Sequence, residues 1–210
     1  VLGCRLNIRQ VSYGWTNFAP HAYKVMVDAD KSEMTKLTLK IDLPIHATLQ
    51  EFIPALMMAL KGFQIQNSHV KEHANYLQWC RERVALYPVV TQEQKQSRLI
   101  NPYVFMQTLF ANLDRDDVVV TGNGSACVIS FQAADIKDGQ SLYTNSGNAS
   151  MGYDLPAAIG ACIARGAKRV ICLAGDGSLM MNLQELQTVV GYRLPIKVIV
   201  LNNEGYHSIR

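Results

Sequence analysis

The sequence predicts an α/β protein: a doubly wound parallel sheet in the C-terminal part, preceded by the end of a second α/β domain. Two observations carry this. Short apolar runs of strand length, Val118–Thr121, Arg169–Ala174 and Ile196–Leu201, alternate with segments of helical apolar spacing. Each run stops at a turn rich in glycine or asparagine: Gly122-Asn123-Gly124, Gly175-Asp176-Gly177 and Asn202-Asn203. Strands alternating with helices argue for parallel pairing. In such sheets ligands bind beyond the carboxyl ends of the strands, where all three turns fall.

Composition supports a packed core. Of 210 residues, 49% are hydrophobic and 18% charged, which argues against disorder. The formal charge is only +3 and no dense Lys/Arg run occurs, so nucleic acid is not expected as a partner. No apolar run approaches the roughly 20 residues that span a bilayer, so no membrane is expected either. Cys4, Cys80, Cys127, Cys162 and Cys172 are odd in number and form no Cys-x-x-Cys, which reads as free thiols in a reducing cytoplasm. The chain opens on Val1 without an initiator Met and stops just after a strand. Both ends read as cuts in a longer polypeptide.

The elements follow in order. Val1–Leu6 and Tyr23–Val27 are strand-like. Leu49, Phe52, Ile53, Leu56, Met57 and Leu60 recur at helical spacing behind a capping box, Thr48-x-x-Glu51. Pro54 should kink the second turn or delay the start, and Gly62 is the expected stop. Asn67–Tyr87 carries a single apolar stripe, Val70, Ala74, Leu77, Cys80 and Val84, as a surface helix does. The polar run Thr91–Arg98 reads as linker. This places a first domain over 1–62, a linker with a helix over 63–98, and the second domain over 99–210.

In the second domain Asn101-Pro102 should cap a helix whose inner face is Met106, Leu109, Phe110 and Leu113. Asp154 is expected to cap the helix of Leu155, Ala158, Ile159, Cys162 and Ile163. Asn182-x-x-Glu185 resembles another capping box, opening a helix to about Arg193.

The turns carry the chemistry. In Gly175-Asp176-Gly177-Ser178, glycines allow close backbone approach to a phosphate, and Asp176 offers a hard oxygen for Mg²⁺. Alone, the tetrapeptide reads equally well as an ordinary turn. One helix and one strand later, Asn202-Asn203 returns to a neighbouring strand end. There the Asn203 side chain and the Gly205 carbonyl can meet the same cation. Asn-Asn by itself is more often an Asx turn, but two such turns at matched strand ends are harder to explain by accident.

With those residues in view, the sequence resembles the acetolactate synthase-like family of thiamine diphosphate enzymes. Gly175-Asp-Gly-Ser178, a helix, Leu194-Pro-x-x-x-x-Val-Leu-Asn-Asn203 and then Gly205-Tyr206 are similar to the cofactor fingerprint. Ser146–Gly160 is similar to the segment that precedes it, and Val27–Met34 to the end of a central domain. The resemblance covers nearly the whole chain and is strongest from Asn145 onward.

The resemblance implies roles. Asp176, Asn203 and the Gly205 carbonyl would bind Mg²⁺. Gly175, Gly177 and Ser178 would hold the diphosphate, with Gly124, Ser125 and Ala126 covering it from the other side. Met151 would wedge the cofactor into a bent shape. The activity implied is decarboxylation of a 2-keto acid, pyruvate favoured, with transfer of the acyl unit to an acceptor. A 2-keto acid decarboxylase, a C–C lyase or a non-catalytic homologue are the alternatives.

The family's activating glutamate belongs to an upstream domain, so no catalytic residue is expected in this chain. Glu185 and Glu204 are not substitutes. The chain by itself is expected to be inactive, and the whole protein to be a homo-oligomer with its site shared between two subunits.

Two departures cloud the substrate: Ser125-Ala126 stands where acetolactate synthases usually carry Gln-His, and the run Gly205-Tyr-His-Ser-Ile-Arg210 stands where they carry a Gly-Met-Val-type run. Arg9 and Asp28 or Asp30 lie where flavin-bearing relatives contact FAD, but the favoured reading of that segment is structural. Among the scattered histidines only His207 lies near the expected site. A nucleotide-binding module of another class is disfavoured, because no Gly-x-Gly-x-x-Gly opening a helix and no Gly-x-x-x-x-Gly-Lys-Ser/Thr occurs.

Overall fold

The computed structural model describes residues 1–63 and 67–206. They fall into two compact units, Val1–Gln78 and Trp79–Arg210.

The first unit runs α1 (Ile8–Val11), β1 (Val25–Asp28), α2 (Lys31–Met34), β2 (Leu43–His46) and α3 (Leu49–Ala59). β1 and β2 pair in parallel, Val25 opposite Leu43. The expected strand over Val1–Leu6 does not form. Gly3, Arg5 and Leu6 all have positive φ, which breaks an extended run and leaves only an isolated bridge between Leu2 and Val27.

The capping box of α3 is present in both directions. The Glu51 N–H donates to Thr48 Oγ1 at 3.3 Å, and the Thr48 N–H to Glu51 Oε2 at 3.1 Å. α3 starts at Leu49 and runs through Pro54, so the proline does not delay it. Gly62, at φ 91°, follows its end.

α4 (Asn67–Leu86) forms as a surface helix. The expected linker 91–98 contains a further turn, α5 (Gln92–Lys95), because Thr91 and Gln94 make a second reciprocal capping box.

The second unit continues with α6 (Pro102–Asn112), β3 (Val118–Thr121), α7 (Ser125–Ala133), β4 (Ser141–Thr144), α8 (Asp154–Ala164), β5 (Val170–Gly175), α9 (Asp176–Leu179), a 3₁₀ segment (Met180–Glu185), α10 (Leu186–Gly191) and β6 (Ile196–Leu201). Asn101 caps α6, its Oδ1 accepting from the N–H of Tyr103 at 3.0 Å.

The strands form one fully parallel sheet in the order β4-β3-β5-β6. Alternate strand residues feed two cores. Val118, Val120, Val170 and Cys172 pack with α8 on one face. Val119, Ile171 and Leu173 pack with α6 and α7 on the other. Helices on both faces make the sheet doubly wound, and both faces being buried explains its continuous apolar strands.

Two expected caps are corrected. Asp154 is not the cap of α8. It is the first helical residue and fully buried, with Tyr153 in the cap position. Helical structure follows Asn182 to Gly191, but Asn182 and Glu185 do not form the expected capping box. The Asn182 φ of −137° breaks the 3₁₀ segment from within, and its side chain donates to the Gly152 carbonyl at 2.7 Å. His207 lies outside the described residues, as does the side chain of Arg9.

Candidate cofactor site

The carboxyl ends of β3, β5 and β6 converge on one cavity. It is lined by Asn123, Gly124 and Ser125 after β3, by Gly175, Asp176, Gly177 and Ser178 from the end of β5 onward, and by Leu201, Asn203, Gly205 and Tyr206 from the end of β6 onward. Met151, from the loop before α8, completes the lining.

The β6 turn divides its two asparagines between two jobs. Asn202 makes the Asx turn, its Oδ1 accepting from the Glu204 N–H at 2.9 Å. That leaves the neighbouring Asn203 to line the cavity. Glu204 takes a left-handed φ of 62° and Gly205 a φ of 131°, which swings the chain back toward β5. The Gly205 N–H then donates to Asp176 Oδ2 at 2.9 Å. Two strand ends are thereby joined through the one carboxylate in the cavity.

Further hydrogen bonds fix the other walls. The Gly152 N–H donates to the buried Ser178 Oγ at 2.8 Å, which leaves that hydroxyl proton free to serve an acceptor in the cavity. Asn123 Nδ2 donates to the Ala149 carbonyl at 2.7 Å, tying the β3 turn to the Met151 loop. Gly124 precedes α7 at φ 61° and ψ −137°, a conformation only glycine holds without strain. Its missing side chain leaves the first N–H groups of α7 uncapped beside the cavity.

The site's charge is unusual. Among the described residues that line it, Asp176 and Tyr206 are the only ionisable ones, and none is Lys or Arg. Uncapped amides favour an anion, whereas a carboxylate repels one: like charges about 4 Å apart cost roughly 4 kcal/mol at an effective dielectric of 20. A divalent cation between carboxylate and anion removes the conflict. The donors available to it are a carboxylate, an amide oxygen and a backbone carbonyl, all hard oxygens of the kind Mg²⁺ takes. Among the described residues no three His, Cys, Asp or Glu side chains converge as a softer metal would require. The residues present therefore fit a metal-bridged diphosphate.

Of the residues singled out from sequence, Gly124, Ser125, Met151, Gly175, Asp176, Gly177, Ser178, Asn203 and Gly205 come together here. Ala126 does not line the cavity. Its side chain is buried in the core with Met106 and Phe110, because the second position of α7 points inward. Asn123, Leu201 and Tyr206 were not anticipated. The Gly-Asn-Gly context of Asn123 was the available signal. Leu201 is an ordinary strand end, and Tyr206 stands where the family pattern departs.

Comparison with known proteins agrees with this geometry. Residues 122–210 match the family described as thiamine pyrophosphate enzyme, C-terminal TPP binding domain. Over 211 residues the chain is 31% identical to the acetolactate synthase isozyme 2 large subunit of Escherichia coli (strain K12), covering 100% of this chain and 35% of that protein. It is 30% identical to the isozyme 1 large subunit of the same organism, over 98% of this chain and 34% of that protein. To the acetolactate synthase large subunit of Porphyra purpurea it is 32% identical, over 100% and 34% respectively. The chain spans about a third of the length of these relatives. Residues 122–210 are thus shown as a thiamine pyrophosphate enzyme C-terminal domain, and the chain as a whole is similar to acetolactate synthase large subunits.

Proposed function

We propose that the protein is a thiamine diphosphate- and Mg²⁺-dependent enzyme that decarboxylates a 2-keto acid, pyruvate favoured, and transfers the acyl unit to an acceptor. The observation that carries this reading is the lone carboxylate of Asp176 set among uncapped amides and cavity-lining glycines. When bound, the cofactor's thiazolium supplies the electron sink for loss of carbon dioxide.

The chain's own residues bind and orient. Asp176 Oδ1, Asn203 and the Gly205 carbonyl would hold the cation, with Asp176 Oδ2 kept in register by the Gly205 N–H. Ser178, Gly175, Gly177 and the Gly124–Ala126 backbone would hold diphosphate oxygens. Met151 would press the cofactor from its loop, which Asn123 and Ser178 anchor.

The activating acid comes from elsewhere in this reading. Asp176 is committed to the metal, Glu204 sits exposed on the metal loop, and Glu185 accepts from Thr188 Oγ1 at 2.9 Å. A homo-oligomer that shares the site between subunits is proposed on the same ground. The first segment is read as structural and not as a flavin site. Asp30 caps α2 through the Ser32 N–H at 2.9 Å, and Asp28 Oδ1 accepts from the Asp30 N–H at 3.0 Å.

Carbon dioxide release from pyruvate by the full-length protein, with thiamine diphosphate and Mg²⁺ supplied, tests the proposal. Release that disappears in Asp176→Ala supports it, and acetolactate among the products identifies the acceptor as a second pyruvate. Binding of cofactor without release from any 2-keto acid would overturn the enzymatic reading.

A further inference from the structure

Asp154 is completely buried, and among the described residues its Oδ2 has no hydrogen-bond partner. Oδ1 accepts from the adjacent Leu155 N–H, at 2.9 Å, on the first turn of α8. A buried carboxylate with an unmet oxygen is costly and calls for a compensating role. Its position supplies one. A Cβ built on Gly122 would lie 2.3 Å from Asp154 Oδ2, 3.0 Å from its Cγ and 3.1 Å from its Cβ. The φ of Gly122 is not in the left-handed region, so the carboxylate, not the backbone, is what demands glycine there. Asp154 thus fills the space that a side chain at position 122 would take.

Neither residue lines the cavity, but each adjoins a segment that does. Gly122 opens the turn that carries Asn123, Gly124 and Ser125. Asp154 closes the loop that carries Met151, whose Gly152 is bonded to Ser178 and Asn182. We propose that Asp154 is a positioning residue, a buried spacer that sets the distance between the α7-side turn and the Met151 loop and so shapes the diphosphate cavity. The inference rests on the cofactor reading above.

Titration calorimetry of thiamine diphosphate with Mg²⁺ into the full-length protein tests it, with melting temperatures of the ligand-free variants measured in parallel. Asp154→Asn keeps the bulk and should bind within threefold of wild type, even where loss of the charge at the α8 N-terminus lowers the melting temperature. Asp154→Gly and Gly122→Ala each alter the spacing and should weaken binding tenfold or more. The double variant Gly122→Ala/Asp154→Gly moves the bulk from one side of the contact to the other, and should bind at least fivefold more tightly than either parent. Wild-type affinity in Asp154→Gly, or a double variant no better than its parents, would overturn the spacer role alone. Wild type that fails to bind overturns the cofactor reading and this inference with it.

Discussion

The Gly205 N–H donates to Asp176 Oδ2 at 2.9 Å, so the first of the proposed metal ligands also holds the loop that carries the other two. Asp176→Ala removes both functions. It should raise the dissociation constant of thiamine diphosphate in Mg²⁺ by at least 100-fold, about 2.7 kcal/mol. Asp176→Asn still offers an oxygen to Gly205 but carries no charge, and should fall between the two. A chelator should weaken wild-type binding to the level of Asp176→Ala and leave that variant unchanged. Calorimetry with and without chelator reads all of this. Chelator-insensitive wild-type binding would sink the metal assignment.

Tyr206 rests on Gly177. A Cβ at Gly177 would come within 2.4 Å of Tyr206 Cε1, and its φ would otherwise accept alanine. Gly177→Ala should therefore push the ring out of the cavity wall and weaken cofactor binding about tenfold. Tyr206→Ala removes the obstacle, so the double variant should bind more tightly than Gly177→Ala alone. Equal affinity of those two variants would place the cost of the methyl elsewhere, on the diphosphate itself.

Much of this site was legible in the sequence because its turns lie at the ends of apolar runs with strong strand character. Period and punctuation locate β3, β5 and β6, and parallel connection then brings Gly124, Asp176 and Asn203 to one edge. Capping boxes at Thr48 and the Asn101-Pro102 start of α6 were equally readable, since each is a local exchange between side chain and backbone. What escaped was tertiary. Asn182 and Asp154 have the residue types of caps, yet the Met151 loop recruits the first and Gly122 packs against the second. β2 and β4 are short and weakly apolar, and exist through pairing with β1 and β3. The failure of a strand at Val1–Leu6 comes from positive φ angles that no apolar pattern encodes.

The cysteines should react in order of exposure. Cys4 is exposed and Cys80 half-buried, whereas Cys127, Cys162 and Cys172 are buried. Burial pushes the Cys162 thiol up, and burial with the nearby Asp154 carboxylate pushes Cys172 up to about 12. Thiolate is the reactive form, so Cys172 should resist iodoacetamide at pH 8 in the native state. Peptide mass spectrometry should find Cys4 alkylated first and Cys172 only after unfolding. Early labelling of Cys172 would mean that the sheet centre opens far more readily than its packing implies.

At the opposite end of the sheet, Arg169 clamps two acids. Its Nε donates to Asp117 Oδ1 at 2.8 Å and its Nη2 to Asp114 Oδ2 at 2.7 Å, with a further short bond to Asp117 Oδ2. Burial of Asp117 opposes its charge, but the Arg169 guanidinium and the Asp114 N–H outweigh it and hold the carboxyl below its usual range. The same pairing raises Arg169. A carboxyl depressed in the folded state adds stability above its unfolded value of about 3.9, and that stability is lost as pH falls through the folded value. Arg169 is half exposed, which limits the pair to about 1–3 kcal/mol. Thermal melts from pH 6 to pH 2 should show wild type losing this increment below about pH 4. Asp117→Asn should melt lower at pH 6 and converge on wild type at pH 2. Parallel curves over the whole range would mean that the clamp contributes through shape alone, with no charge-dependent part.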